Sequence, residues 1–448
     1  MSETAAPPTL PTGRDFPDRL PAMVVKELRQ GLRARLFAET VAGFHLVIVV
    51  LILPVVSFAS PNETGGIQRL VWGIFAAVLV LLLPLRGLSA LSQERRANTL
   101  DTLLLTNLRA GRIVRGKWLA IAAQIVLVGL SLMPYILILY AGGGVSLPGS
   151  LLTLLRLMLA GLVLTAVYVA LSWNDSWLWR AAPGVALAFL AMKEYAGPLV
   201  AELQNPARSF AAWSGPWRVP AEGIAGTVLI YLFLEATAQR LAPSAENHHT
   251  LPRLVALALP WAALLVPDPL MMQAALAGLT MVSFAALMEP WPVEPPVERT
   301  WHRWAALASG WPHGVLWAVA AWGSAAWVVQ DRAPELEEMT LRLAAWLFCG
   351  RLVLFLAPAT WGRHGGMLLL TALMLVLGQA LLALMGSLLE APALTAAAAA
   401  LPSPLPAFGV TASQPALPWI AAGAALLCAA AAGMALSRHR SLRKELPL

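Results

Sequence analysis

The chain has 448 residues, of which 58% are apolar and 12% are charged, and its mean hydropathy is +0.69. Soluble domains carry about 25% charged residues, so this composition excludes a set of ordinary soluble domains. The net charge of +7 comes from Lys and Arg clustered beside apolar runs, which predicts an anionic membrane surface and no nucleic-acid partner, and two cysteines are too few for a disulfide framework.

The N-terminal segment combines a polar tail with an amphipathic helix. Residues 1–22 are polar and contain several prolines, which predicts a disordered cytoplasmic tail. In the helix predicted over 23–36, one face carries Val25, Leu28, Leu32 and Leu36, and another carries Lys26, Arg29 and Arg33. The pattern fits a helix lying on the cytoplasmic leaflet or a basic flank that only enforces topology, and the sequence leaves both open.

Apolar runs long enough to cross a bilayer recur along the whole chain. A hydrocarbon core about 30 Å thick needs about 20 residues of apolar helix. Ten runs meet this requirement: 41–59, 67–85, 118–141, 151–173, 221–239, 270–288, 304–329, 341–359, 367–389 and 417–437. Two weaker runs are 181–200, which contains Lys193 and Glu194, and 252–267, which is short and contains Pro260. The sequence therefore predicts an all-α polytopic membrane bundle of about twelve spans, or ten if both weak runs do not cross.

The distribution of Lys and Arg predicts how the spans are oriented. Basic residues are dense at 14–35, 86–117 and 438–444 and sparse between most other spans. Because cationic loops stay on the cytoplasmic side, both termini are predicted to be cytoplasmic, which requires an even number of spans. Tryptophans near predicted span ends, Trp72 and Trp118 among them, are expected to form an aromatic belt.

The long basic segment between the second and third spans has the pattern of a short helix. Asn98 can serve as its N-cap, with Asp101 three residues later near the positive end of the helix dipole. Leu100, Leu103, Leu104 and Leu108 then share one face. An apolar face on so short a cytoplasmic helix predicts a groove on a protein partner as its binding surface.

These residues make the chain similar to the membrane (permease) subunits of type-2 ATP-binding-cassette (ABC) exporters. After the second span that family has a Glu, a Gly-Thr-Leu-Glu step, a leucine pair, a Thr or Ser with Pro, and a Gly-Lys that opens the third span. The matching residues here are Glu94, Thr99, Leu100, Leu103, Leu104, Thr106, Gly116 and Lys117. Asn98, Asp101 and Asn107 depart from the pattern, in place of the Gly, Glu and Pro. The segment KELRQGLRAR also resembles the family's connector helix, and the resemblance covers about 23–242.

The resemblance implies the permease subunit of an ATP-driven exporter, which forms the translocation path and couples to a separate ABC ATPase subunit. It implies a six-span permease domain over 23–242 with a coupling helix near 98–107, in a bacterial inner (plasma) membrane. The ATPase-coupling residues that it implies are Glu94, Thr99, Leu100, Asp101, Leu103, Leu104, Thr106, Gly116 and Lys117.

ATP binding is expected on the partner chain and not on this one. Residues 111–117, GRIVRGK, fit the start of a phosphate-binding loop, but Trp118 stands where Mg²⁺ chemistry needs Ser or Thr. The sequence contains no G-x-S-x-G or H-E-x-x-H motif. We therefore expect no catalytic residue, no cofactor and no metal in this chain.

Ionisable residues within predicted spans allow two rival functions. His45, Glu194 and Glu235 are candidates for a substrate path, because a charge inside a span is costly unless it has a use or a partner. Arg156 lies near a helix end, from which it is expected to snorkel to the surface. The same residues fit an ion- or proton-coupled secondary transporter, and a polytopic membrane enzyme acting on lipid-linked substrates also stays open.

The second half, 250–448, repeats the order of the first half in a weaker form. A hairpin of spans is followed by a cytoplasmic segment and further spans, which predicts a second six-helix region, a degenerate repeat of the first. Pro292, Pro295 and Pro296 forbid a regular coupling helix there. Either one chain offers two pseudo-equivalent halves to an ATPase dimer, or the permease forms a homodimer.

Overall fold

The computed structural model of the chain describes residues 22–33, 35–58, 64–96, 109–141, 146–172, 184, 192, 218–242, 248–266, 269–289, 310–330, 334–356, 422–434 and 437. Within these ranges the regular structure is helical throughout and contains no strand. The prediction of an all-α protein is confirmed for this part of the chain.

The first half is built from nine helical segments. They are α1 (Ala22–Arg33), α2 (Arg35–Phe58), α3 (Thr64–Ala76), α4 (Leu83–Leu85), α5 (Ser92–Arg96), α6 (Ala110–Ser131), α7 (Met133–Ala141), α8 (Leu147–Leu171) and α9 (Arg218–Leu241), counted over the described residues. A π-helical segment, Ala77–Leu82, joins α3 to α4, and a 3-10 turn, Arg86–Ser89, follows α4. The second predicted span is thus a continuous but irregular helix.

The second half contributes five further helices to the described part of the chain. They are α10 (Thr250–Ala262), α11 (Pro269–Leu287), α12 (Trp311–Val329), α13 (Pro334–Leu356) and α14 (Ala422–Met434). A short 3-10 turn, Ala263–Leu265, ends α10.

Several of these helices are long and apolar enough to cross a membrane. They are Gln68–Arg96, Ala110–Ala141, Leu147–Leu171, Arg218–Leu241 and Leu270–Leu287. A sixth is added if α1 and α2, which meet at a bend of 57°, form one broken span. These helices make the chain compatible with an integral membrane protein. The predicted run 367–389 lies outside the described residues, as does 181–200 except for residues 184 and 192, so the predicted number of about twelve spans stays a prediction.

Two large apolar cores lie in the two halves, and helix α9 belongs to the second core and to a smaller third cluster. The first-half core lies between α3, the π-helical segment, α6 and α8, and includes Trp72, Phe75, Ile125, Leu157 and Tyr168. The second-half core lies between α9, α11, α12 and α13, and includes Leu232, Leu276, Val315, Leu347 and Phe348. Leu234 and Leu241 of α9 also pack with Leu91, Ile113 and Val114 at the start of α6. Helix α9 therefore joins the halves.

Trp72 corrects one sequence prediction. Its side chain is 1% exposed within the first core, so the expectation that it belongs to an aromatic belt is wrong. The reason is that α3 turns this position toward Phe75 and α8, a choice of helix face that proximity to a span end does not determine.

Helix α8 approaches the irregular second span at two glycines. A Cβ atom at Gly161 would overlap the carbonyl oxygen of Leu79 in the π-helical segment. A Cβ atom at Gly87 would lie 3.1 Å from the carbonyl oxygen of Thr165. These contacts fix the second span against α8 just before it reaches α5.

Candidate coupling site

Lys117 lies where three helices that are distant in sequence meet. Its Nζ atom is 2.8 Å from Oε1 of Glu94 in α5 and 3.2 Å from Oε1 of Glu27 in α1. The lysine side chain is only 5% exposed, and a buried ammonium is stable only when it is paired. Both carboxylates are therefore needed partners, and we call Lys117, Glu27 and Glu94 the Lys117 node.

Helix α1 brings Glu27 to the node because one face of α1 packs on α6. Val24 is buried, and a Cβ atom at Gly31 would overlap the side chain of Gln124 in α6. Positions 24, 27 and 31 follow helical spacing, so Glu27 points toward α6 between these two contacts. Val25, Leu28 and Leu32 of the predicted apolar face are only half-buried, and the inward face is rotated from them by about one residue.

The end of the second span brings Glu94 to the node. The 3-10 turn at Arg86–Ser89 leads into α5, and the Ser92 hydroxyl donates to the Ser89 carbonyl at 3.3 Å. The backbone N–H of Leu91 donates to the Ser172 hydroxyl at 3.4 Å, which ties this turn to the end of α8. Glu94 follows on α5 with 13% of its side chain exposed.

Helix α6 presents Lys117 from inside the helix. It begins at Ala110, several residues before the predicted span 118–141, so Gly116 and Lys117 lie about two turns into it and are both buried. Residues 111–117 are helical throughout, unlike a phosphate-binding loop.

The structure places three of the nine predicted coupling residues. Glu94 and Lys117 are brought into contact, and Gly116 lies beside them. The other six, Thr99, Leu100, Asp101, Leu103, Leu104 and Thr106, lie outside the described residues, as does the N-cap Asn98. Glu27 was missed by the sequence reasoning, although it is an isolated acid within an otherwise basic amphipathic helix.

The predicted substrate-path residues have separate neighbours. The His45 ring in α2 has its centroid 5.5 Å from that of Tyr135, and its Nδ1 atom is buried with no hydrogen bond to any described residue. Oε1 of Glu235 lies 2.7 Å from Nδ1 of His248, which precedes α10. Glu194 lies outside the described residues. A path that uses all three stays a prediction.

Arg156 forms a buried ion pair that the sequence reasoning did not predict. Its Nε atom donates to Oε2 of Glu222 at 2.6 Å, and its Nη2 atom donates to the other carboxylate oxygen. Both side chains are at most 6% exposed, so the expectation that Arg156 snorkels to the surface is wrong. The sequence did contain a signal for this pair, because Arg156 and Glu222 carry opposite charges and both lie near the N-terminal ends of their predicted spans.

Glu289, at the end of α11, is the centre of a second polar cluster. Its Oε1 atom accepts hydrogen bonds from Nη2 of Arg253 and Nε2 of Gln239, both at 2.6 Å, and its Oε2 atom accepts one from the N–H of Gly310 at 2.6 Å. Arg253 is 1% exposed. We call Glu289, Arg253, Gln239 and Gly310 the Glu289 node.

The Glu289 node holds the two ends of residues 290–309 together. Glu289 precedes this segment and Gly310 follows it, at a φ of 95° that glycine adopts without strain. Arg351 of α13 reinforces the closure, because its guanidinium lies 4.0 Å from the Trp311 ring centroid and donates to the Leu287 carbonyl at 3.1 Å. Residues 290–309 themselves lie outside the described residues, and so do the prolines predicted to break a helix there.

Comparison with protein-family models, with curated proteins and with solved structures gave no match. The function is therefore inferred from the residues and contacts of this chain alone. Among them, the Lys117 node is the one that lies next to the predicted coupling helix.

Proposed function

We propose that this chain is the permease subunit of an ATP-driven ABC exporter, which forms the translocation path and couples to a separate ATPase subunit. The observation that supports it best is the Lys117 node. This node joins the third span to the predicted connector helix α1 and to α5, which leads directly into the predicted coupling helix at 98–107.

The node has the properties that a mechanical link needs. Charged hydrogen bonds in a site shielded from water are stronger than in solvent, so α1, α5 and α6 resist separation. A displacement of residues 98–107 would reach Glu94 and then move α6 through Lys117 and α1 through Glu27. The bond from Leu91 to Ser172 would carry the same displacement to α8.

In this proposal the coupling helix binds the ATPase through its leucine face. Leu100, Leu103 and Leu104 cannot all be buried by so short a helix alone, and a groove on the partner would cover them. Thr106 and Asp101 lie at the two ends of the same segment. The segment is cytoplasmic in the proposed topology, as are both termini, and the membrane is the bacterial inner membrane.

A second candidate function, an ion- or proton-coupled secondary transporter, is favoured by the Arg156–Glu222 pair. A buried ion pair is often no more stable than apolar side chains of the same size, so a pair within spanning helices suggests a use beyond stability. In the exporter proposal the same pair lies beside the path, together with His45, Glu194 and Glu235. Only the exporter requires an ATPase.

Copurification distinguishes these functions. The tagged chain is expressed together with the ABC ATPase encoded nearest its gene, and the ATPase retained on the membrane chain is quantified. We expect the wild-type chain to retain it and the double variant Leu103→Asp, Leu104→Asp to lose it while still inserting. A double variant with Gln93→Asp and Arg109→Asp is the matched control, because both positions are exposed at the ends of the same segment. If the leucine variant retained the ATPase at the wild-type yield, the proposal that residues 98–107 bind the ATPase would be wrong.

A further inference from the structure

We propose that the exposed face of α1 binds the phosphate groups of anionic lipids in the leaflet beside it. Lys26, Arg29 and Arg33 lie three and four residues apart, so they form one stripe along the helix. All three are exposed. We call these residues the α1 stripe.

The opposite face of α1 is already occupied, which fixes the direction of the stripe. Val24 is buried, Glu27 binds Lys117, and Gly31 lies against Gln124 of α6. Rotation of α1 to bury the stripe would break all three contacts. The stripe therefore faces away from the helical bundle.

The stripe also lacks acidic partners among the described residues. The nearest acid in sequence, Glu27, is bound to Lys117. Arg35, two residues after the stripe, differs in this respect because its Nε atom lies 2.6 Å from Oε1 of Glu39. Three neighbouring cations that face no carboxylate of the described residues have the charge that binds phosphate groups.

The position of α2 places the stripe near lipid headgroups. The exposed side chains of α2 become apolar over Leu46, Val47, Val50 and Leu53, each at least 49% exposed, as expected for a surface in contact with acyl chains. Helix α1 leaves α2 at a bend of 57°, so the stripe runs obliquely past the end of this apolar surface instead of continuing straight away from it. Charges on headgroup phosphates at that level would act on the stripe, because exposed charges interact over a Debye length of about 8 Å.

Lipid binding is tested on the purified full-length chain by native mass spectrometry. The chain is mixed with phosphatidylglycerol and phosphatidylcholine, and the lipids retained per chain are counted. Each cation near an anionic surface strengthens binding to it, so we expect the triple variant Lys26→Gln, Arg29→Gln, Arg33→Gln to bind phosphatidylglycerol at least about tenfold more weakly. Phosphatidylcholine binding is expected to stay unchanged.

A matched control removes three other exposed cations of the same predicted side, through Arg96→Gln, Arg109→Gln and Arg112→Gln. An equal loss of phosphatidylglycerol in this control would show a general charge effect and overturn the stripe as the site. Unchanged binding in the stripe variant would overturn it as well, and so would displacement of the lipid by an equal concentration of inorganic phosphate. Loss of a copurified ATPase with lipid binding intact would assign the stripe to a protein partner instead. The lipid-binding outcomes do not depend on the proposed function, and only the ATPase outcome does.

Discussion

The Lys117 node and the Glu289 node lie at comparable places in the two halves but have opposite charges at their centres. Each lies where a helix ends and a segment outside the described residues begins, 97–108 in the first half and 290–309 in the second. In the first node a buried ammonium binds carboxylates from two other helices. In the second node one carboxylate binds a guanidinium, an amide and a backbone N–H.

The connections of the two nodes differ more than their charges. Glu289 binds Gly310, so the second node joins both ends of its own segment. Lys117 lies about two turns beyond the end of 97–108 and ties that segment to α6 and to α1. A displacement of 97–108 would spread to other helices, whereas a displacement of 290–309 would act on ends that are already held together. If the chain is the proposed exporter permease, this difference favours coupling to the ATPase through the first half.

The largest effect is expected for Lys117→Met. Without the ammonium, the Glu27 and Glu94 carboxylates are left close together and largely buried, so the free energy of unfolding should fall by about 3 kcal/mol. We also expect the membrane chain to stop stimulating a copurified ATPase. Thermal unfolding in detergent and ATP hydrolysis after reconstitution measure the two effects.

A triple variant separates stability from coupling in this node. Lys117→Met together with Glu27→Gln and Glu94→Gln removes the uncompensated charges, so most of the lost stability should return. The link between the three helices does not return, and ATPase stimulation should stay low. Full stimulation in the triple variant would mean that the node only stabilises the fold.

Glu289→Gln is expected to affect stability without affecting coupling. The change removes the carboxylate charge that faces the buried Arg253 and sets an NH2 group against either that guanidinium or the N–H of Gly310, at a cost of about 2 kcal/mol. The melting temperature should fall, while ATPase stimulation per folded chain should match the wild type. Glu337→Gln, on a half-buried position of α13, is the control for charge. Loss of ATPase stimulation in Glu289→Gln but not in Glu337→Gln would indicate that the second half takes part in coupling.

Local sequence patterns predicted the helices better than they predicted the nodes. The runs 151–173, 221–239 and 270–288 agree with α8, α9 and α11 to within a few residues, because apolar content acts over short distances. The start of α6 was placed too late because Arg112, Arg115 and Lys117 interrupt the apolar run while the helix continues through them.

The pairing of charged residues could not be predicted because it depends on how helices pack. Lys117 and Glu27 are 90 residues apart, and Arg156 and Glu222 are 66 residues apart. A single sequence shows how far along a span a charged residue lies, but it does not show which face of the helix packs against a neighbouring helix. Arg156 was therefore expected to reach the surface, whereas it binds a carboxylate on α9.

A smaller effect should distinguish the ends of the two segments. Gly310 enters α12 at a φ of 95°, so Gly310→Ala should cost about 1 kcal/mol and weaken the bond to Glu289. Arg109 enters α6 at a φ of −61° and is exposed, so Arg109→Ala should change stability by less than about 0.5 kcal/mol. Thermal unfolding of both variants is the measurement. Equal stability of the two variants would contradict the claim that the positive φ of Gly310 makes this position more sensitive to substitution than Arg109.

The smallest effect is expected for Asp101→Asn in the predicted coupling helix. A carboxylate in the first turn of a helix stabilises it by about 0.3 to 1 kcal/mol through the helix dipole, and the amide loses this contribution. If 98–107 must be helical to bind the ATPase, the affinity should fall by about two- to fivefold while the melting temperature stays unchanged. Titration of the ATPase against the reconstituted chain measures this affinity.

The matched change in the second half is Glu298→Gln, which also removes a carboxylate from a segment between spans. Because Pro292, Pro295 and Pro296 forbid a regular helix before it, no dipole is expected there and the ATPase affinity should stay the same. A complete loss of affinity in Asp101→Asn would instead indicate direct contact between Asp101 and the ATPase. Equal losses of affinity in both variants would mean that the two segments bind the ATPase alike. That result would contradict the contrast between the nodes, in which the Lys117 node is tied to other helices and the Glu289 node joins the ends of its own segment.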